Sequence, residues 1–156
     1  MLEVRTKLGQ SGIHGTGLFA AESIVTGTRV WIFDPGVDIR FSKKRLLSYP
    51  KPALEWFYHN MWLGKISHSY CMHGDDARFI NSSDEPNLVV SHDPAVSNEY
   101  IAHAGRDIIK GEELTWCYPD FDAIDPSIHS VWCKIEEICG IVPDAWEAQF
   151  TDRERF

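Results

Sequence analysis

Two short polar stretches carry the side chains best suited to hold a ligand. Residues 78–87 place two asparagines, two serines and a proline between hydrophobic strand candidates, a composition typical of a rigid, hydrogen-bonded loop. Residues 111–118 form a turn followed by a short apolar strand that ends on Tyr118. Taken alone, both stretches are more typical of surface connections. A third, glycine-rich stretch lies upstream at residues 12–19, and it changes that interpretation.

Each stretch contributes a group with a definite chemical capacity. Gly15 and Gly17 let backbone approach a ligand closely, although an ordinary strand turn uses glycine in the same way. The spacing differs from the dinucleotide-binding fingerprint, which also needs a following helix. Asn81 donates and accepts hydrogen bonds, which suits a polar ligand, but an asparagine in a tight loop also commonly ties down its own backbone. Tyr118 has an ordinary pKa near ~10 and is a poor base at neutral pH, so we expect it to orient a partner and exclude water.

The elements that must position these groups are mostly strands. Alternation of apolar and polar residues predicts strands over residues 2–5, 18–20, 29–33, 68–72, 88–90, 99–103 and 114–116. A helical insert is predicted over about residues 42–62, where Ser42 caps a short turn and Pro52 begins a helix. That helix is expected to carry Leu54, Phe57, Tyr58 and Met61 on one face, with Trp56 and Trp62 exposed.

A second helical region is predicted near the end of the sequence. Asp125 is its expected N-cap, Pro126 its first residue, and Gly140 lies just past its end. Its expected inward face consists of Ile128, Val131, Trp132, Ile135 and Ile138. A further short helix is predicted after Pro143, with Trp146 and Phe150 inward.

Size and composition describe one globular domain. The 156 residues are 44% hydrophobic and 12% aromatic, and no apolar run is long enough to cross a bilayer. With no signal-peptide pattern, we expect an intracellular, cytoplasmic protein without membrane association. The net charge of −8 disfavours nucleic acid and favours a basic, lysine-containing partner. The four cysteines contain no CxxC pair, so neither a disulfide framework nor a zinc knuckle is predicted.

In this order, the three stretches resemble the SET-domain family of protein lysine methyltransferases over about residues 2–121. Residues 12–19 are similar to the family's N-terminal cofactor loop. Residues 77–87 resemble its arginine-phenylalanine-x-asparagine-histidine-serine-cysteine-x-proline-asparagine signature, and residues 104–118 its segment from alanine-x-arginine-aspartate-isoleucine to aspartate-tyrosine. The resemblance implies a mainly β fold with short helices (α+β): a β-clip of small sheets with a pseudoknot over residues 1–122, followed by a helical extension over 123–156 packed on the same domain.

The resemblance also implies a cofactor, a substrate class and a set of site residues. The methyl donor would be S-adenosylmethionine, the substrate a lysine of a basic protein or peptide, and no metal is expected. Tyr118 is the expected catalytic residue. The expected cofactor-binding residues are His14, Gly15, Thr16, Gly17, Arg78, Asn81, Ser82 and Tyr118. Aromatic side chains would line the lysine channel, with Tyr70, Trp116 and Phe121 as candidates that serve equally well as core.

Methyl transfer from a sulfonium to an amine is an in-line displacement, so positioning does most of the work. The lysine must arrive neutral, and a desolvated channel beside a cationic sulfonium lowers its pKa. No carboxylate base is therefore required.

Three positions depart from the family pattern. Ser82 stands where the family usually has histidine, Asp84 where it often has cysteine, and Cys117 where it has aspartate. The chain resembles a small, stand-alone member without the cysteine clusters that precede or follow the domain in other members. In place of the latter, we expect the helix from Pro126 to cover the cofactor, using Trp132 or Phe121.

Two alternatives stay open. The departures favour a catalytically idle SET-like module that binds a cofactor or partner without turnover. A metal-dependent hydrolase would use His59, His68, His73, Asp75 and Asp76, but these residues lack helical metal-ligand spacing. Substrate identity, the degree of methylation and the oligomeric state stay open as well.

Overall fold

Four small β-sheets, none with more than three strands, organise the part of the chain that the structure describes, namely residues 1–122 and 130–142 of a computed structural model. The strands are β1 (Thr6–Gln10), β2 (Thr16–Ala20), β3 (Arg29–Ile32), β4 (Ile39–Phe41), β5 (Met61–Leu63), β6 (Tyr70–Met72), β7 (Asn81–Ser82), β8 (Leu88–Ser91), β9 (Ile101–Ala104) and β10 (Thr115–Trp116). The helices are α1 (Lys43–Leu46), α2 (Lys51–Asn60), α3 (Tyr118–Phe121) and α4 (Ser130–Cys139), with a 3-10 turn over Asp76–Phe79. The predicted mainly β fold of small sheets with short helices is confirmed.

The first strand lies later in the chain than its sequence pattern predicts. β1 begins at Thr6, and of residues 2–5 only Leu2 forms an isolated bridge, to Trp31. The Glu3 N–H donates to the Val30 carbonyl at 2.9 Å, whereas the Arg5 carbonyl accepts from the Ala21 N–H at 2.9 Å. The strand predicted over residues 2–5 was therefore wrong, because the chain passes from β3 to β2 within these residues and pairs with β3 only at the Leu2 bridge.

The largest antiparallel unit is the sheet β3-β9-β8, which contains the predicted hairpin. β8 and β9 pair from Leu88 opposite Ala104 to Ser91 opposite Ile101. One face of this sheet joins a large apolar cluster that also includes residues of β2, β10 and α3. The two polar stretches, residues 78–87 and 111–118, pack on this cluster.

The helical insert has the predicted N-terminal signals but ends earlier. The Ser42 hydroxyl accepts a hydrogen bond from the N–H of Arg45 at 3.3 Å, and Pro52 lies in the first turn of α2. α2 buries Leu54, Phe57 and Tyr58 and ends at Asn60. Met61 and Trp62 belong to β5, which pairs with β6, so both are extended and buried. Their assignment to a helix was wrong because the strand pairing outweighs local helical periodicity, whereas Trp56 is 46% exposed, as expected.

α4 packs on this insert. Val131, Ile135 and Cys139 are buried in a second apolar cluster with residues of α2, β5 and β6. Cys139 takes the inward place expected of Ile138, which is 41% exposed, because burial follows every fourth residue from Val131. Gly140 follows the helix with φ +69°, as its predicted C-terminal position requires.

The remaining predictions for this end of the chain lie outside the described residues. They concern the helix start at Asp125 and Pro126, the position of Ile128, and the short helix after Pro143 with Trp146 and Phe150. Among residues 1–122 and 130–142, no helix has the length and apolar character needed to span a membrane.

Candidate active site

A parallel strand pair joins the two polar stretches. β7 and β10 place Asn81 opposite Thr115 and Ser82 opposite Trp116. Beyond the pair, the N–H of Ser83 donates to the carbonyl of Trp116 at 2.9 Å. The two stretches are far apart in sequence, and their pairing is the contact that the expected pseudoknot requires.

Asn87, at the end of the first polar stretch, forms hydrogen bonds with the second. Its carboxamide nitrogen donates to the Glu113 carbonyl at 2.7 Å and to Glu112 Oε1 at 2.9 Å. Glu112 also accepts from the Arg106 guanidinium at 2.5 Å, and this hydrogen bond is the main reason why the pKa of Glu112 lies below its ordinary value. Asn87 is only 3% exposed, so its hydrogen bonds are protected from competition with water.

Asn81 connects the same region to the glycine-rich loop. β1 and β2 form an antiparallel hairpin, and residues 11–15 are its loop. The Asn81 Nδ2 donates to the carbonyls of His14 at 3.1 Å and Thr16 at 3.3 Å, and to Glu113 Oε1 at 2.9 Å. The side chain of Asn81 is therefore the point at which all three sequence stretches meet.

Gly15 and Gly17 are glycines for two different structural reasons. Gly15 has φ +49°, a conformation that other residues adopt only with strain. Gly17 is buried under the side chain of Glu113, and a Cβ at this position would lie 2.8 Å from the Glu113 Cδ. Both glycines were predicted to allow backbone strain or close approach, but the close approach at Gly17 is to a protein carboxylate.

Tyr118 follows β10 and points its phenol at the first stretch. Its Oη donates to the carbonyl of Ile80 at 3.2 Å, and its N–H donates to the Ser82 hydroxyl at 3.2 Å. Burial, with a smaller contribution from the Asp122 carboxylate, raises the pKa of Tyr118 to about 12. The phenol is thus a neutral hydrogen-bond donor beside a backbone carbonyl, and an even poorer base than its residue type predicts.

Two departures from the family pattern lie next to Tyr118. Ser82 stands where histidine is usual, and its hydroxyl fixes the backbone of Tyr118. Cys117 stands where aspartate is usual, and burial and the nearby Asp120 carboxylate raise its thiol pKa. A neutral thiol therefore replaces the usual negative charge directly before Tyr118.

Aromatic side chains continue from Tyr118 into the core. The Trp116 and Phe121 ring centroids lie 4.8 Å apart, and those of Tyr118 and Phe121 lie 6.0 Å apart. Trp116 and Phe121 border a cavity of about 10 Å³, which gives room for about one water molecule. The other residues around it are Trp31, Trp62, His73, Val90, Glu99 and Tyr100. Two of the three predicted channel residues therefore lie together beside Tyr118.

His73 is a buried titratable group beside this cavity. Its ring stacks between Trp62, at a centroid distance of 4.1 Å, and Trp116, at 5.3 Å. Burial, with a smaller contribution from the Met1 ammonium, holds the pKa of His73 well below its ordinary value. Its Nδ1 lies 4.0 Å from an Asp38 carboxylate oxygen and has no hydrogen-bond partner among the described residues.

Glu99 places a carboxylate beside the same cavity. It is 1% exposed and accepts a hydrogen bond from the Arg40 guanidinium at 3.2 Å. Cys71 lies against it, and burial together with the Glu99 charge raises the pKa of this thiol to about 12. Within residues 1–122 and 130–142, no three His, Cys, Asp or Glu side chains are grouped so that they could hold a metal ion.

Two predicted site residues, Tyr70 and Arg78, are described by other contacts. Tyr70 is buried in the second apolar cluster, where its ring stacks on Trp132 at 5.1 Å. Arg78 is exposed, with its guanidinium 4.7 Å from the Phe79 ring centroid and 3.9 Å from the Asp76 carboxylate. The described contacts place neither residue against Tyr118 or Asn81, so their roles stay predictions.

Sequence reasoning overlooked Glu113 and the second layer of aromatic residues. Glu113 lies in the Gly-Glu-Glu-Leu segment that the resemblance uses, and a polar residue directly before a buried strand is the signal that marks it. Trp31 and Trp62 lie on separate strands, so no local pattern indicates that they share a cavity with Trp116.

The structural class is defined by small sheets, a glycine-rich hairpin loop and a parallel strand pair followed by the half-buried Tyr118. Comparison with known proteins agrees with this class. The family model for the SET domain matches residues 15–119. The chain belongs to the SET-domain family.

Relatives and solved structures extend this assignment. The chain is 35% identical over 112 residues to human Histone-lysine N-methyltransferase 2B and 31% identical over 118 residues to Histone-lysine N-methyltransferase trithorax of Drosophila virilis. Each match covers 70% of this chain but only 4% and 3% of the respective relative, so the chain spans a small part of either protein. In fold it is similar to the Polycomb Repressive Complex 2 of Chaetomium thermophilum in an autoinhibited conformation bound to S-adenosylmethionine, with a TM-score of 0.53, 20% identity, and coverage of 86% of this chain and 17% of that one.

Proposed function

We propose that this protein transfers a methyl group from S-adenosylmethionine to the side-chain amine of a lysine in a basic protein segment. The observation that carries the proposal is the convergence of the hairpin loop, Asn81 and Tyr118 in a member of the SET-domain family. The relatives named above are histone-lysine methyltransferases, and the net charge of −8 suits a histone-like, lysine-rich substrate.

The residues present fit the cofactor. The amino-acid end of S-adenosylmethionine carries an ammonium and a carboxylate, and its adenine edge needs both donors and acceptors. Carbonyls of the loop at His14 and Thr16, the Asn81 amide and the backbone at Ser82 supply these groups close together. Gly15 keeps the loop free of a side chain where it turns. When bound, the cofactor supplies an electrophilic methyl group for in-line displacement.

The remaining residues act on the incoming amine. Tyr118 stays protonated at neutral pH, so its phenol and the Ile80 carbonyl form a fixed polar pair against which an amine is oriented. Trp116 and Phe121 are apolar walls that exclude water and tolerate a cation. A desolvated channel also lowers the pKa of the substrate lysine, so that it arrives neutral. None of these roles needs a carboxylate base.

We also propose an intracellular site of action. All four cysteines carry free thiols, two of them buried, as expected for a protein in a reducing compartment. The finer placement in the cytoplasm rests on the sequence pattern alone.

Calorimetric titration tests the cofactor assignment. S-adenosylmethionine and S-adenosylhomocysteine are titrated into the intact protein, Asn81→Ala and Asn60→Ala. We expect Asn81→Ala to abolish binding and Asn60→Ala to preserve it, because the Asn60 amide donates within α2, to the Trp56 carbonyl at 2.8 Å. Equal affinities in all three proteins would contradict the assignment, and absence of binding to the intact protein at millimolar ligand would remove the proposal.

Methyl transfer itself requires a second assay. The protein is incubated with isotopically labelled cofactor and core histones, with unlabelled lysine-methylated histones as a competitor control. Incorporation into lysine supports the proposed reaction. Tight cofactor binding without incorporation into any basic protein would favour the idle-module alternative, which the departures at Ser82, Asp84 and Cys117 motivate.

A further inference from the structure

We infer that Glu113 is a positioning residue of the cofactor site, which fixes the orientation of the Asn81 carboxamide. This inference rests on the proposed function and adds to it a residue that the family resemblance does not assign. Glu113 Oε1 accepts a hydrogen bond from Asn81 Nδ2 at 2.9 Å, the shortest of the three hydrogen bonds that this nitrogen donates.

The surroundings of the amide nitrogen contain only acceptors. The carbonyls of His14 and Thr16 and the carboxylate of Glu113 surround Asn81 Nδ2. If the carboxamide were rotated by half a turn, its own oxygen would face these three oxygens, none of which carries a proton to donate at neutral pH. The acceptors therefore dictate which end of the amide points toward the loop.

The opposite end of the amide is consequently an acceptor. Asn81 Oδ1 receives no hydrogen bond from the part of the chain that the structure describes, and Asn81 itself is 9% exposed. An oxygen held in this way selects for a donor, and the ammonium of an amino-acid end is a strong one. Glu113 thus adds a charged acceptor to the two loop carbonyls and strengthens the orientation in which Asn81 presents its oxygen to the ligand.

The position of Glu113 is itself enforced by the fold. Phe19 of β2 forms a bridge with Glu113, and the flanking N–H of Leu114 donates to the Leu18 carbonyl at 2.7 Å. This places the Glu113 carboxylate over Gly17, where a Cβ would collide with it. The absence of a side chain at residue 17 is what allows the carboxylate to reach Asn81.

The neighbouring glutamate provides a matched control. Glu112 accepts hydrogen bonds from Arg106, Asn87 and the N–H of Ile109. Among the described contacts, it accepts none from Asn81. Loss of Glu112 weakens the fold without changing the acceptors around the Asn81 amide. Loss of Glu113 removes one of these acceptors.

The test measures ligand selectivity as well as stability. S-adenosylhomocysteine, which has the amino-acid end, and 5'-methylthioadenosine, which lacks it, are titrated into the intact protein, Glu113→Ala, Glu113→Gln and Glu112→Gln, with the unfolding temperature recorded for each. We expect Glu113→Ala to bind S-adenosylhomocysteine about tenfold more weakly, the scale of one charge-assisted hydrogen bond, with unchanged affinity for 5'-methylthioadenosine.

The conservative variants complete the test. Glu113→Gln keeps an acceptor for Asn81 and should restore the selectivity of the intact protein, whereas Glu112→Gln should lower the unfolding temperature with selectivity unchanged. Three results would overturn the inference: equal selectivity in Glu113→Ala and the intact protein, equal losses for both ligands, or Glu113→Gln behaving like Glu113→Ala. If the intact protein binds neither ligand, the proposed function fails first, and that result is visible before any variant is compared.

Discussion

Asn87 and Thr115 exchange hydrogen bonds in both directions: the Thr115 N–H donates to Asn87 Oδ1 at 2.9 Å, and the Asn87 N–H donates to the Thr115 hydroxyl at 3.3 Å. Both residues are buried, at 3% and 7% exposure. Together with the bond from Asn87 Nδ2 to the Glu113 carbonyl, this exchange holds the two signature stretches side by side. The site thus depends on an asparagine that the resemblance does not place against the ligand.

Replacing Asn87 by alanine should therefore destabilise the whole domain. The substitution leaves the Thr115 N–H and the Glu113 carbonyl buried without partners, and we expect the free energy of unfolding to fall by about 3 kcal/mol. Urea denaturation monitored by tryptophan fluorescence measures this change. Asn60→Ala, at the accessible end of α2, is the control and should change the free energy by less than about 1 kcal/mol. Similar effects of the two substitutions would show that the exchange contributes little.

A second prediction concerns α4. The ring of Trp132 stacks on Tyr70, and Glu136 accepts a hydrogen bond from the Tyr58 hydroxyl at 2.9 Å, so these contacts of the helix are with β6 and the insert. Trp132→Ala should lower the free energy of unfolding by about 3 kcal/mol, as expected for truncation of a large packed aromatic residue, and leave cofactor affinity unchanged.

Calorimetry of the folded Trp132→Ala protein distinguishes this result from the expectation that the helix covers the cofactor. Loss of affinity for S-adenosylhomocysteine, at a temperature where the variant is fully folded, would indicate that the helix covers the cofactor. Cys133→Ala is the control on the same helix, because Cys133 is exposed.

The third prediction is a loss of stability in acid. Burial and the Met1 ammonium lower the folded-state pKa of His73, while the Asp38 carboxylate faces it at 4.0 Å without offsetting them. Since the unfolded chain then binds a proton that the folded chain excludes, this contribution to stability is complete above the unfolded pKa of about 6.5 and is lost as pH falls below it.

His73→Phe removes the titration and retains an aromatic ring between Trp62 and Trp116. The free energy of unfolding of this variant should depend less on pH between about 6.5 and 5 than that of the intact protein. The exposed His92, changed to phenylalanine, serves as the control and should preserve the slope. Identical slopes for the intact protein and His73→Phe would show that folding does not shift the pKa of His73.

The sequence predicts a structural feature well when the residues that fix it lie close together in the chain. Local signals succeed: the Ser42 cap, the hairpin of β8 and β9, and Gly140 after α4 are fixed by residues close to them in sequence. Met61 and Trp62 are misassigned because their strand partner lies in β6, beyond the reach of local periodicity.

The same limit applies to the candidate site. The family resemblance brings the loop, Asn81 and Tyr118 together correctly, since their order in the chain carries that information. It gives no indication that Glu113 reaches Asn81, which requires the bridge between β2 and the residues before β10. Tyr70 stacks on Trp132 of a helix outside the resemblance, and its role in the lysine channel stays a prediction.

The last prediction separates the binding and chemical roles of Tyr118. Tyr118→Phe keeps the ring that packs on Phe121 and removes the hydroxyl that donates to the Ile80 carbonyl. Cofactor affinity should stay within about threefold, because an apolar edge replaces one neutral hydrogen bond, while methyl incorporation should fall about 100-fold, the scale of losing one positioned polar group. Calorimetry and the labelled-methyl assay measure the two quantities on the same preparation.

The pH dependence of that reaction gives an independent check. With its folded-state pKa raised to about 12, the Tyr118 phenol stays protonated through pH 10, so the rate should not fall between pH 8 and pH 10 through its ionisation. The sign is opposite to that for His73: the unfolded phenol ionises first, so the Tyr118 contribution to stability is present below about pH 10 and is lost as pH rises toward 12. Tyr118→Phe should lack this alkaline loss, and Tyr49→Phe is the control. The same alkaline loss of stability in Tyr118→Phe and in the intact protein would contradict the raised pKa of Tyr118.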